Sequence, residues 1–150
     1  MSSVKSPAYE AAILNLLFCA KGISNIADNT ATAPLTNLWV ALHTGDPSTG
    51  NQTTLEGGYT AYTRIATTRT TVGWVVTQGS STAPSSISPV AAVTFPQCAT
   101  TTTGTFTYAS VGSTSAGTGS IYYSGAISPT INWGNGVTPQ ISTGSSITEL

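Results

Sequence analysis

Charged side chains are scarce in this chain. Only 6 % of its 150 residues are Asp, Glu, Lys or Arg, against about 25 % in an average soluble domain. The four cations, Lys5, Lys21, Arg64 and Arg69, are too few to neutralise a series of phosphates, so we expect no nucleic-acid partner. The formal net charge of −1 gives little repulsion between copies, which favours a subunit that is covered by neighbours in an assembly.

Histidine and cysteine are also scarce, which narrows the chemistry that the chain can perform. His43 is the only histidine, so a zinc site with two or more histidines cannot be built, and a catalytic triad would depend on His43 alone. The sequence has no G-x-S-x-G nucleophile elbow and no glycine-rich phosphate loop. Cys19 and Cys98 have no metal or redox spacing, so we expect two buried free thiols, with a disulfide as the alternative. We therefore predict no catalytic, cofactor-binding or metal-binding residues.

The first apolar segment is AAILNLLFCA, residues 11–20. It is too short to span a bilayer, and Phe18 stands where a signal sequence would need a small residue, so we expect no membrane partner and no export by this segment. Ser6-Pro7 instead has the form of a helix N-cap followed by a first-turn proline, and Gly22 is a stop signal. The sequence predicts a helix over residues 7–21.

This predicted helix is apolar nearly all round. Such a helix is usually buried on more than one side, so it either contacts another subunit or fills the interior of its own domain. One face carries Tyr9, Ile13, Leu16, Leu17 and Ala20, and a second face carries Leu14 and Phe18. From these faces we predict a partner interface formed by Ile13, Leu14, Leu17 and Phe18.

Hydroxyl and strand-forming residues dominate the rest of the chain. Ser and Thr make up roughly a third of it, and short alternating segments are bounded by Gly, Pro and Ser clusters. We predict a mainly β fold, an antiparallel β-sandwich of seven or eight short strands with one N-terminal α-helix. The expected organisation is an arm and helix over 1–22, a linker over 23–37 and the sandwich over 38–150, in a single domain.

Several local features can be placed on this predicted sandwich. Leu38, Val40 and Leu42 alternate with more polar neighbours and predict a strand that ends at His43. Further strands are predicted over 59–69, over VGWVVT with Val72, Trp74 and Val76 on one face, and over later segments that include Val93, Phe95, Phe106 and Tyr108. Asn135-Gly136 predicts a tight turn. We expect Trp39, Trp74 and Trp133 to lie in the core.

The stretch LWVALHTGDPSTG, residues 38–50, contains the residues with the most chemical potential. Asp46-Pro47 is a turn-starting pair, because Asp can bond its own backbone and Pro presets φ. We expect His43 to bond a turn carbonyl or Asp46, and Arg64 or Arg69 to pair with Glu56 or Asp46, across the strand or across an interface. These assignments make His43, Asp46 and Arg64 residues of turn structure and pairing, with catalysis or partner contact by His43 as the alternatives.

The order of the motifs resembles a widespread family of small tailed-phage virion structural proteins. Members are often labelled tail fibre proteins, and similar proteins serve as capsid cement or decoration subunits. The resemblance covers about residues 10–148 and rests on LWVALHTGDPSTG, GGYTAYTRIA, VTFP, GTGSIYYSGAIS and NGVTPQISTGSSIT, in that order. It implies a β-sandwich, a structural role and no catalytic residues. The family's signature positions are matched by His43, Asp46, Pro47, Tyr59, Tyr62 and Arg64.

We therefore expect a non-enzymatic capsid cement or decoration protein, made in the host cytoplasm and located on the capsid surface of the virion. Its expected partners are the major capsid protein and other copies of itself, as a trimer. The alternative is a tail-associated or fibre-associated module that binds host glycans through exposed aromatic side chains. A small hydrolase that uses His43 is a remote further alternative.

Overall fold

The computed structural model of the chain describes residues 5–23, 34–80 and 82–149. Within these ranges the chain forms one helix and nine strands. The predicted fold class is confirmed, since the structure is mainly β with antiparallel sheets and one N-terminal helix. The elements are α1 (Pro7–Cys19), β1 (Asn37–His43), β2 (Ile65–Thr68), β3 (Trp74–Thr77), β4 (Ser85–Pro89), β5 (Val93–Thr94), β6 (Gly104–Gly112), β7 (Ile121–Trp133), β8 (Gln140–Ile141) and β9 (Ile147–Glu149).

The chain divides into two compact units, each assembled from segments that are distant in sequence. Unit 1 combines the described part of Met1–Thr36 with Thr68–Ala91 and Ser142–Leu150, and unit 2 combines Asn37–Thr67 with Ala92–Ile141. Most of the predicted linker over 23–37 lies outside the described residues. The domain boundaries expected at residues 22 and 37 stay a prediction.

Unit 1 consists of α1 packed on the three-stranded sheet β3–β4–β9. The predicted helix is confirmed, and its N-cap is Ser6, whose hydroxyl accepts a hydrogen bond from the backbone N–H of Tyr9 at 3.3 Å. The helix ends earlier than expected, because Ala20 rather than Gly22 takes the left-handed conformation, at φ 54°. In the core, the ring of Phe18 meets the ring of Trp74 edge-on, with centroids 4.8 Å apart.

The face of α1 that packs on the sheet differs from the face expected to be shared with a partner. Leu14 and Phe18, two of the predicted interface residues, are 0 % exposed and belong to the core of unit 1, so they offer no surface to a partner in this fold. The reason is that the sheet needs an apolar cover over Trp74 and Ile87, which are themselves buried. The opposite face of the helix, with Tyr9, Ile13, Leu16 and Leu17, is half-buried or exposed.

Unit 2 contains nearly all of the four-stranded sheet β2–β1–β6–β7 and the separate pair β5–β8. Aromatic side chains join the two sheets. The ring of Tyr62 stacks on Phe95, which follows β5, at 5.8 Å and an interplanar angle of 9°. The same ring lies 6.0 Å from Phe106 on β6, and Phe106 in turn contacts Trp133 at the end of β7. The core of unit 2 therefore lies between two sheets, as in a β-sandwich.

Two strand predictions are wrong in part. The strand expected over 59–69 is limited to β2, since the N–H of Tyr62 bonds the carbonyl of Tyr59 in a turn. Val72 is 78 % exposed because it lies in the turn before β3 and not on the inner face with Trp74. In both places a turn interrupts an alternating pattern that by itself is typical of a strand.

The predicted turn is confirmed, and the prediction that the three tryptophans lie in the core is confirmed for two of them. Asn135-Gly136 forms a tight turn in which the N–H of Val137 bonds the carbonyl of Gly134 at 2.9 Å, and Gly136 has φ 81°. Trp74 and Trp133 are buried, whereas Trp39 is only half-buried.

Candidate functional site

Unit 2 encloses a set of polar side chains that bond one another across β1, β6 and two loops. We call this set the polar cluster. It contains His43 and Arg64, for which the sequence predicted roles in turn structure and pairing. Its members are His43, Gln52, Glu56, Arg64, Ser110 and Thr114.

His43 is held from both sides of its ring at the end of β1. Nδ1 lies 2.8 Å from the carbonyl oxygen of Thr54, and because a carbonyl only accepts, Nδ1 must be the protonated nitrogen. Nε2 then accepts a hydrogen bond from the hydroxyl of Ser110 at 2.8 Å. Burial lowers the pKa of His43, so the ring is neutral at pH 7. The expected bond to a turn carbonyl is present, and its acceptor is Thr54.

The contact between Ser110 and His43 has the spacing of a nucleophile and its general base. Its surroundings do not suit catalysis, however. His43 is 0 % exposed and Ser110 is 2 % exposed, so a substrate carbonyl cannot reach the hydroxyl. A backbone carbonyl, not a carboxylate, holds the second ring nitrogen. The arrangement supports a structural role for this pair.

Arg64 forms the centre of the polar cluster. Its Nε and Nη2 donate to the two carboxylate oxygens of Glu56 at 2.6 and 2.7 Å, which is a bidentate ion pair. Nη1 donates to the carbonyl oxygen and the hydroxyl of Thr114 at 3.0 and 3.1 Å, and Nη2 also donates to the carbonyl of Gly117 at 2.8 Å. The guanidinium thus uses all five donors to join the loop after β1 to the loop between β6 and β7.

Asp46 and Arg69 have different roles from those of Glu56 and Arg64. The carboxylate of Asp46 accepts from the backbone N–H of Ser48 at 2.9 Å, which is the turn predicted from the sequence, and the side chain is exposed. Arg69 belongs to unit 1, where it donates to the carbonyls of Leu16 and Leu17 in the last turn of α1. A cation at this end of a helix complements the helix dipole.

Gln52 is a member of the cluster that sequence reasoning missed. It is fully buried, and its Oε1 accepts from the backbone N–H of Thr114 at 3.0 Å. A Cβ added at either Gly112 or Gly119 would overlap its carboxamide, and at Gly112 it would also lie 2.5 Å from the backbone carbonyl oxygen of Ser120, so the space at both positions is limited. The sequence did contain a signal for the surroundings of Gln52, namely the glycines Gly112 and Gly119 in SVGSTSAGTGS. The low complexity of this stretch makes that signal hard to recognise.

Metal-binding clusters and membrane-spanning helices are both absent from the described residues, and the two cysteines are free. Across residues 5–23, 34–80 and 82–149, no group of three or more His, Cys, Asp or Glu side chains could hold a metal ion. No helix in these same ranges is long and apolar enough to cross a bilayer. Cys19 and Cys98 are free and buried, as expected, and burial raises the pKa of the Cys19 thiol.

An open groove of about 430 Å³ lies where the ends of β6 and β7 meet the turn at Asn135. Thr105 donates a hydrogen bond to the side chain of Asn132 at 2.8 Å along one wall. No lining residue is charged. The lining consists of Thr103, Gly104, Thr105, Asn132, Trp133, Gly134, Asn135 and Val137.

These features define a β protein whose polar cluster bonds protein groups rather than a substrate, with Nε2 of Gln52 as its buried atom without a hydrogen-bond partner among the residues that the structure describes. The comparison with protein families agrees with this class. A family model described as Podophage GP4 fiber I protein gp80 matches residues 8–148, and the chain belongs to that family. It is therefore a phage virion structural protein, as the resemblance of its motifs indicated. The comparison with curated proteins gives no match.

Proposed function

We propose that the chain is a non-enzymatic subunit of a fibre on the phage particle, where several copies associate. The observation that carries this proposal is the match to a fibre protein family over residues 8–148, a range that includes elements of both units. The low charge of the sequence supports association between copies, because little electrostatic repulsion opposes it.

The polar cluster supports a role that depends on a rigid fold. Arg64 fixes two loops through one fully bonded guanidinium, and His43 bonds a third backbone position in the interior. The bonded members of a buried polar network help to specify one arrangement, and here the exception is Nε2 of Gln52, which has no partner among the described residues. A fibre subunit contributes shape and contact area to its neighbours, and both require loops that keep one conformation.

A second candidate function is that of a capsid cement protein that binds the major capsid protein. The outer face of α1 favours it, since Ile13, Leu16 and Leu17 are half-buried and Tyr9 is 44 % exposed. Apolar side chains on a surface commonly mark a contact with another protein. Added apolar contacts between shell subunits would slow the opening of a capsid that is under pressure from packaged DNA. Host-glycan binding belongs to the fibre candidate only.

Immunogold electron microscopy of intact virions separates the two candidates. With antibodies against this protein, the fibre proposal expects gold on appendages and the cement candidate expects a regular distribution over the shell. Virions from a phage that lacks the gene serve as the control. Gold in neither place would contradict both candidates, and purified protein that binds undecorated shells at a saturating ratio would favour cement.

A further inference from the structure

The surface of unit 2 carries almost no charge. Its only Asp, Glu, Lys, Arg or His side chains are His43, Asp46, Glu56 and Arg64. His43 and Arg64 are buried, and Glu56 is committed to Arg64, so Asp46 is the one exposed charged side chain in the unit. Residues 92–141, which supply β5 to β8, contain none of these five residue types.

The strand β7 presents the longest part of this uncharged surface. It is 13 residues long, it lies at the edge of the four-stranded sheet, and Trp133 is its only buried residue. Natural proteins usually protect an edge strand with charged side chains, proline or a bulge. β7 lacks charge, although residues 127–130 form a bulge opposite Thr107 that includes Pro129. The bulge prevents a continuous ladder along the outer edge, so side chains must make much of any contact there.

The open groove is continuous with β7, because Asn132 and Trp133 belong to both. The groove is fixed in place by the bonded turn at Asn135 and by the bond from Thr105 to Asn132. The side chains of Thr103 and Asn135 have no hydrogen-bond partner in the part of the chain that the structure describes, so their polar atoms can bond a neighbour. Together, the exposed side of β7 and this groove form one uncharged, hydroxyl-rich and amide-rich surface, which we call the β7 surface.

We propose that the β7 surface is where one copy of this chain contacts unit 2 of another copy. The proposal is supported by the match in charge between the β7 surface and unit 2 of a second copy. A charged partner would lose hydration against the β7 surface without gaining an opposite charge, which is unfavourable, and the cores of protein interfaces are depleted of charged residues. Unit 2 of a second copy meets this requirement, since Asp46 is its single exposed charge. This inference rests on the proposed association of copies in a fibre and names its surface.

A pair of matched substitutions tests the inference. Thr130 on β7 and Thr77 on β3 are both exposed threonines on edge strands, but they lie in different units. Thr130→Lys should weaken self-association of the purified full chain by at least about tenfold, because the new charge becomes buried without a partner. Thr77→Lys should leave it unchanged. Sedimentation velocity over a concentration series measures association, and circular dichroism checks that both variants are folded.

Hydrogen exchange on the unaltered protein gives a second measurement that does not depend on a variant. Amides of residues 124–132 should become more protected as the protein concentration rises, and those of 74–77 should not. A chain that stays monomeric at every concentration, equal effects of the two lysines, or protection confined to 74–77 would overturn the inference. If copies associate through another surface, the fibre proposal is unaffected. If immunogold labels the shell, the fibre proposal is refuted, but a β7 contact established by these measurements is not.

Discussion

The two units of this protein use their ion pairs differently. In unit 1 the ion pair of Lys5 and Glu149 is half-buried, with side chains 33 % and 12 % exposed, and the interior is an apolar contact between α1 and a sheet that also encloses Glu10, whose carboxylate accepts from the backbone N–H of Ser85. In unit 2 the ion pair of Arg64 and Glu56 is largely buried inside a network of hydrogen bonds. The acids of the two pairs are similarly buried, and the difference lies in the cation, since the side chain of Lys5 is 33 % exposed and that of Arg64 is 3 % exposed.

This difference determines where each unit is vulnerable. The side chain of Lys5 is partly in contact with water, and an ion pair with such a member contributes about 0–1 kcal/mol, so unit 1 depends mainly on the packing of its helix. Removing one member of a buried pair leaves the other without compensation and costs about 3–5 kcal/mol, so unit 2 depends on every member of its network. Four predictions test this contrast: one compares the two units directly, and the others compare positions within one unit.

The largest effect is expected in the core of unit 1. Phe18→Asp should abolish the folded state of that unit, because it puts a carboxylate without a partner where the ring of Phe18 meets Trp74. Ile13→Asp, on the half-buried side of the same helix, is the control and should leave unit 1 folded. Hydrogen exchange of residues 74–77 and 85–89 reports on the unit. Equal protection in both variants would show that α1 does not stabilise the sheet.

The next largest loss of stability is expected from breaking the ion pair of unit 2, and breaking the ion pair of unit 1 should cost less. Arg64→Ala is expected to lower the free energy of unfolding by about 3–5 kcal/mol, because Glu56 and the carbonyls of Thr114 and Gly117 lose their donors. Lys5→Ala should lower it by about 1 kcal/mol or less. Urea unfolding followed by fluorescence measures both. Similar losses for the two variants would remove the contrast between the units.

A smaller effect is expected from the glycines that enclose Gln52. Gly119→Ala should cost about 1–3 kcal/mol through the overlap of its methyl group with the carboxamide. The matched control is Gly125→Ala on β7, where a Cβ would meet no atom within 4 Å. Thermal unfolding of the two variants gives the comparison. A stable Gly119→Ala protein would mean that Gln52 can move aside at little cost.

The smallest effect should be a pH dependence confined to unit 2. The pKa of His43 is lowered in the folded state by burial, so below its unfolded value of about 6.5 the unfolded chain takes up a proton that the folded chain does not. Stability is then full above that pH and falls as the pH decreases, with a slope of at most about 1.4 kcal/mol per pH unit. His43 is the only histidine, so His43→Gln should flatten the curve between pH 5 and 7, at a cost of about 1–2 kcal/mol. A wild-type curve that is flat over this interval would refute the prediction.

The sequence predicted those features that depend on neighbouring residues. Ser6-Pro7 marked the start of α1, Asp46-Pro47 marked a turn, and Asn135-Gly136 marked another, because each motif acts through its own backbone. Features that depend on distant segments were not predictable in this way. A helix that is apolar nearly all round does not show which face will meet a sheet, so the burial of Leu14 and Phe18 followed only from the structure.

The polar cluster likewise combines features that the sequence could predict with features that depend on distant segments. The sequence offered Glu56 and Asp46 as partners of Arg64, and only the fold could choose between two carboxylates at different positions on the same loop. Gln52 carried no local signal, since the glycines that enclose it, Gly112 at the end of β6 and Gly119 in the loop before β7, are distant from it in the sequence. The bulge in β7 did have a local signal, because Pro129 is the only proline of that strand and proline within a strand marks an edge or a bulge.

The pairing of β9 with β4 has a consequence for the order of events during protein synthesis. Unit 2 has all of its residues once Ile141 has been added, whereas the sheet of unit 1 needs residues 147–149 to complete its third strand. Until then α1 has emerged with Leu14 and Phe18 but lacks part of the surface that covers them. The nascent chain therefore carries an apolar helix that is uncovered until β3 and β4 have been added and only partly covered until its last residues, and these are the stages at which a chaperone would have most to bind.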